Sequence, residues 1–238
     1  MLLLAIAVNP ARADVDVAHK GLDVTTTGLF PRYPSGQRCP TMTSLYASWA
    51  DVDGTRRDER HSGVDAGALG DQIIAPAPGM VIASWQANWG WGLEGAIILR
   101  HRREDLGLTT GPAFYYSEFD HLRYAETREI PEGRFVERGE PLATVFRPGG
   151  NPHYLPEVHW EVWQVEDEDE TKWLNNKFGG RYWVNPTARL IDPLYMLSLN
   201  DSADEDGGVD LPIFARTENY SDFRGFTYIF SCHPTHPH

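Results

Sequence analysis

Three side chains of this chain have the types and spacing to hold a metal ion. His61 and Asp65 lie four residues apart in His61-Ser-Gly-Val-Asp65, around a Ser-Gly pair that reads as flexible. His159 follows far along the chain in the strand-like run Val158-His-Trp-Glu-Val162. Two imidazole nitrogens and a carboxylate oxygen suit zinc. Three protein ligands leave a fourth position open for water, the arrangement of a hydrolytic site rather than a structural one. Each of the three, taken singly, is an ordinary turn or surface residue.

The elements that must position these groups read as short strands. Residues 71–84 hold two strand-like runs about a Pro-Gly turn, and 96–101 form a strand after a turn at Gly90-Trp-Gly92. Residues 114–119 alternate as a strand that delivers His121 at its end, 142–146 follow a turn at 137–141, and 158–165 form a further strand. Residues 41–49 suit a strand or a short helix, 193–199 a short helix, and the acidic run 166–170 a solvated loop. The Asp/Gly-rich run 200–210 reads as flexible. Residues 75–81 and 136–142 echo each other as strand-turn units.

Composition agrees with a mainly β chain. The 238 residues are 41% hydrophobic, with 22 Gly, 17 Pro, eight Trp and ten Tyr, a mixture that favours many turns and strands over a helical bundle. The net charge of −13 argues against nucleic acid as a partner. An apolar run over 1–8 followed by Ala11-Arg-Ala13 has the shape of a secretory signal cleaved after Ala13. No other run approaches the ~20 apolar residues that span a bilayer, so an exported protein that is not integral to a membrane is expected. In an oxidising compartment Cys39 and Cys232 could form one disulfide tying the C-terminal tail to the start of the domain; the alternative is two unrelated thiols.

Five motifs in order carry a family resemblance: His61-x-x-x-Asp65, Ile74-Ala-Pro-Ala-Pro-Gly-Met-Val81, the aromatic strand ending in His121-Leu122, Val136-x-x-Gly139-x-Pro141 and His159-Trp-Glu161-Val162. Together they resemble the lysostaphin-type zinc metallopeptidases, which cut peptide cross-links in bacterial cell walls. The resemblance implies a compact antiparallel β-sheet sandwich with a zinc groove formed by loops and few short helices. It implies Zn2+ held by His61, Asp65 and His159, His121 as a catalytic histidine, and peptidoglycan peptides as the partner. The resemblance covers about residues 58–197, and with the signal-like start the chain divides into a signal (1–13), an N-terminal extension (14–57), a metallopeptidase domain (58–199) and a flexible segment with a C-terminal extension (200–238). Secretion to the cell envelope or periplasm follows, while the oligomeric state stays open.

One departure matters. The family carries His-x-His before the aromatic and the glutamate, and this chain has Glu157-Val158-His159. Residues 157 and 159 of a strand share a face, so Glu157 is expected to point at the metal site. It could serve as general base, or bind the metal and disable the site. His153 could replace the missing imidazole, although it reads as an exposed loop residue. Glu161 is either an outer partner of His159 or a plain strand charge. Trp89, Trp91 and Tyr116 are candidates to line a peptide groove, although aromatics at strand spacing are more often core. The His-rich tail after Cys232 carries no functional weight. The alternative to an endopeptidase is a catalytically impaired member acting as a binding or regulatory module in wall remodelling. A lipoyl- or biotinyl-type carrier is excluded, because no lysine occurs between Lys20 and Lys172.

Overall fold

The computed structural model describes residues 24–51, 53–90, 92–147 and 155–235; the signal-like start, Trp91 and His153 lie outside them. Its strands are β1 (Phe30–Arg32), β2 (Gln37–Arg38), β3 (Met42–Ser44), β4 (Val64–Ala66), β5 (Gln72–Ile74), β6 (Gly79–Asn88), β7 (Leu93–Arg102) and β8 (Phe114–Leu122). They continue as β9 (Phe135–Val136), β10 (Pro141–Thr144), β11 (Val158–Val165), β12 (Lys172–Asn175), β13 (Arg181–Val184), β14 (Ala188–Ile191), β15 (Gly208–Asp210) and β16 (His233–Pro234). Two short α-helices, α1 (Tyr124–Thr127) and α2 (Pro193–Leu197), and two single-turn 3-10 helices at Glu104–Leu106 and Glu168–Glu170 complete the described elements. In α2, Pro193 sits in the first turn and Asp192 caps it, accepting from the Leu194 N–H at 2.9 Å.

One antiparallel sheet runs in the order β3-β4-β11-β8-β7-β6-β9, with β14 also paired to β11. Alternation gives it two faces. Val81, Ile97, Leu99, Phe119, Trp160 and Val162 enter the larger core. The antiparallel β5–β10 pair and Phe226, Tyr228 and Phe230 of the C-terminal segment pack in that same core. Ala83, Trp85, Ala96, Ile98, Tyr116 and Trp163 form the second core with Trp183 of β13. The two strand-turn echoes meet each other: Gly139 N–H donates to the Ala75 carbonyl at 2.8 Å and Ala75 N–H to the Glu140 carbonyl at 2.9 Å.

The flanking segments are knit into this body. The stretch 14–57, expected as an extension, supplies β3 to the main sheet from its described residues. Where flexibility is expected at 200–210, β15 lies parallel to β1, and Arg32 pairs with Asp204 and Asp206. Cys39 and Cys232 are joined in a disulfide, and β16 pairs with β2 beside it. The acidic run is only partly solvated: Glu168 pairs with Arg100 at 2.9 Å and accepts from the Tyr116 hydroxyl at 3.0 Å. No helix among the described residues is long and apolar enough to cross a membrane.

Candidate active site

The smaller core covers only part of its sheet face. Along the same face, past Trp183, the side chains turn polar: Glu118 and Asp120 on β8, Glu161 on β11, Glu94 on β7 and Asp65 on β4 are buried, and His159 on β11 is partly buried. β4 pairs with β11 in the register His159↔Asp65, and β11 with β8 in the register His159↔Asp120, which sets these side chains side by side. His61 enters from the turn before β4. The glycine of that turn serves close packing rather than flexibility. A Cβ on Gly63 would stand 2.3 Å from the Trp160 carbonyl oxygen, so only glycine lets the turn lie against β11.

The three donors converge. His61 Nε2 lies 3.0 Å from His159 Nδ1 and 3.0 Å from Asp65 Oδ1, and His159 Nδ1 lies 2.9 Å from Asp65 Oδ1. Ligands of a tetrahedral zinc at ~2.0–2.1 Å stand roughly 3.3 Å apart, so a small expansion of this triangle would accept the ion. The other polar atom of each donor is engaged elsewhere. His61 Nδ1 faces the Leu45 carbonyl at 3.1 Å, an acceptor, so Nδ1 carries the proton and Nε2 has the lone pair. His159 Nε2 donates to Glu161 Oε1 at 3.1 Å, and Glu161 Oε2 accepts from Trp163 Nε1 at 2.9 Å. Asp65 Oδ2 accepts from Arg57 at 2.5 Å, and Arg57 also pairs with Asp51 at 3.1 Å. Buried partners of this kind fix tautomer and orientation in metal sites. The donor chemistry and its outer hydrogen bonds therefore fit zinc.

Electrostatics separates the two imidazoles. Burial lowers the pKa of His61, which favours a neutral ring. Burial also opposes a charge on His159, yet hydrogen bonds to Asp65 and Glu161 raise it well above the ordinary value. Burial alone would push Asp65 up; the adjoining imidazoles overcome that and hold it well below the usual carboxylate range.

His121 reaches the site through an irregularity. Leu122 pairs with Gly95 and Phe119 with Ile97, so β8 has one extra residue there, and His121 takes a left-handed φ of 62°. Phe119 and Leu122 both enter the larger core, and the bulge turns Asp120 and His121 together to the polar side. The His121 ring lies 6.4 Å from that of His159, with Nδ1 2.9 Å from Glu94 Oε2. Its carboxylate neighbour is thus Glu94, not the adjacent Asp120.

Glu157 is buried, and one oxygen each of Asp51, Asp65 and Glu157 lie within 4.8 Å of one another. It groups with those carboxylates, not with the two-imidazole set. Burial, then Asp65 and Asp51, push its pKa up to about 9, so it holds a proton at neutral pH. Asp120 is likewise raised well above the ordinary value, by burial and then by Glu118.

Tyr116 does not line a groove. It is buried in the smaller core with its ring 5.5 Å from Trp183, and Trp89 packs partly buried against the same cluster. Sequence reasoning missed Arg57, Leu45 and Glu94. Only Glu94 left a signal, as one carboxylate at the head of the apolar run over 93–99.

The sequence model described as Peptidase family M23 matches residues 59–173. Among solved structures, a zinc-containing peptidase from Vibrio cholerae is 21% identical over 56% of this chain and 36% of its own, with a TM-score of 0.37. The antimicrobial peptidase lysostaphin from Staphylococcus simulans is 17% identical over 77% and 54%, with a TM-score of 0.40. LytU is 17% identical over 68% and 86%, with a TM-score of 0.39. The chain thus spans about a third of the Vibrio peptidase and about half of lysostaphin. No curated protein matches it. The stretch similar to Peptidase family M23, residues 59–173, holds His61, Asp65, His121 and His159.

Proposed function

We propose that the protein is a zinc-dependent endopeptidase that hydrolyses peptide bonds of peptidoglycan in the cell envelope, with His61, Asp65 and His159 as the metal ligands. The single observation that carries this reading is the convergence of two imidazole nitrogens and one carboxylate oxygen within 3.0 Å of one another. When bound, zinc would polarise the scissile carbonyl and bring the pKa of a water to about 7.

The chain's own groups then divide the work. Arg57, Leu45 and Glu161 hold the three ligands in orientation. Glu157, buried beside Asp65, is suited to acid-base work at the reacting centre, one of the two roles the sequence leaves open for it. His121, on the opposite flank, is suited to exchange a proton with the reacting centre. Export and the wall substrate rest on the family and on the signal-like start.

Glu157 also motivates a second reading, an impaired member that binds wall peptides without cutting them. Metal analysis of purified protein, followed by digestion of peptidoglycan, separates the two. Stoichiometric zinc with newly exposed peptide termini supports the endopeptidase; zinc-loaded protein that releases none ends that reading.

A further inference from the structure

We infer that Glu94 is a positioning residue for His121, fixing the tautomer in which Nδ1 carries the proton and Nε2 exchanges one at the reacting centre. This rests on the endopeptidase reading for its kinetic part only. Glu94 is fully buried on the polar side of β7, and its Oε2 lies 2.9 Å from His121 Nδ1. Its Oε1 is buried with no hydrogen-bond partner among the described residues. A carboxylate held this way loses several kcal/mol of hydration and must be compensated by a donor. The donor is an imidazole that the chain delivers only by bending β8 through a bulge and a left-handed φ of 62°, a conformation costly for histidine. Two uncommon features, each unfavourable alone, meet in one hydrogen bond.

The pairing repeats a device used elsewhere in the site. His159 is also held by a buried carboxylate, Glu161, but through its other nitrogen. Glu161 takes Nε2 and leaves Nδ1 toward Asp65 and His61. Glu94 engages His121 through Nδ1 rather than Nε2. The carboxylates thus select opposite nitrogens. In the reaction the Nδ1 proton stays on the ring, hydrogen-bonded to Glu94, while Nε2 gains and returns a proton.

Long-range 1H–15N correlation spectra of the zinc-loaded protein read the tautomer directly, with the His121 signal assigned by its loss in His121→Gln. The wild type should show Nδ1–H. Glu94→Met, which removes the acceptor at similar volume, should shift His121 toward the Nε2–H form and lower kcat about 10²-fold with KM and zinc content unchanged. Glu94→Gln, whose amide oxygen still accepts, should restore the tautomer and part of kcat. An Nε2–H tautomer in the wild type, or an unchanged tautomer in Glu94→Met, overturns the inference. So does equal loss of zinc and kcat in both variants, which marks a merely structural role. If the wild type cuts no peptide yet shows the Nδ1–H tautomer lost in Glu94→Met, the proposed activity fails while the positioning role stands.

Discussion

The two faces of the central sheet each bury an imidazole, with opposite consequences. On the polar face, His159 stands against Asp65 and Glu161, and its pKa is raised well above the ordinary value. On the core face, His101 is fully buried with its ring 4.9 Å from Phe226, and burial depresses its pKa to about 4. Its partners there are neutral: the Pro78 carbonyl at 2.8 Å and the Ser117 hydroxyl at 3.0 Å. Burial is common to both, so the carboxylates make the difference. One face is built to tolerate positive charge and the other to refuse it. A cation-binding site belongs where desolvated carboxylates already exceed the positive groups beside them.

The sharpest break in this comparison is to remove an imidazole from the polar face. His61→Ala or His159→Ala should abolish zinc binding and hydrolysis together. The loss should exceed the ~10–100-fold typical when only an outer partner of a metal ligand is removed. Metal analysis and peptide-release assays on the same samples check it, and a variant that kept its zinc would remove that residue from the ligand set. Next in size is Glu157→Gln, which should keep zinc and lose about 10²–10⁴-fold in kcat. Full activity in that variant would leave Glu157 without a chemical role. Glu157→His then tells whether the departure retunes the site or impairs it.

The polar face was legible in the sequence where regular geometry builds it. The four-residue interval from His61 to Asp65 and the strand over Val158–Val165 follow from local pattern, and antiparallel pairing brings Asp65 and His159 level. The run of strands from β5 to β11 was legible for the same reason, through alternation and Pro-Gly turns. What stayed hidden depends on pairings between distant segments. Leu45 and Arg57 reach His61 and Asp65 because β3 joins β4. No local periodicity announces that. Glu94 meets His121 only through a bulge that changes which way residue 121 faces, and simple alternation puts it on the core side. Which of its two readings, groove or core, holds for Tyr116 stayed open for a related reason: covering of its face by Trp183 is a tertiary fact.

The core face can be tested through acid. His101 has a folded pKa of about 4 against ~6.5 when unfolded, so between those values the unfolded chain binds the extra proton. Stability from this group is intact above pH ~6.5 and falls as the pH drops toward 4, by roughly 3 kcal/mol in all. His101→Gln should be less stable at pH 7 but show a correspondingly flatter loss between pH 6.5 and 4. Urea midpoints of both metal-free proteins across that range measure it. Parallel curves would mean that His101 titrates alike in both states and that the contrast between the faces is wrong.

The smallest expected effect probes the polar face from its outer layer. Glu161 accepts from His159 Nε2 with one oxygen and from Trp163 Nε1 with the other, so its carboxylate is fixed at both ends. Glu161→Gln nearly preserves the shape. Its amide oxygen can serve one of the two donors, but its NH2 then faces the other, and the negative charge beside the imidazole is gone. The His159 ring loses both orientation and basicity, so zinc affinity should fall by about 10–100-fold, with kcat of the fully loaded enzyme changing less. Competition with a chelator of known affinity gives the first number, and assays at saturating zinc give the second. Unchanged affinity would reduce Glu161 to a plain strand charge. A collapse of kcat at full zinc occupancy would instead place its carboxylate in the reaction itself, and the separation between the ligand triangle and the groups that support it would no longer hold.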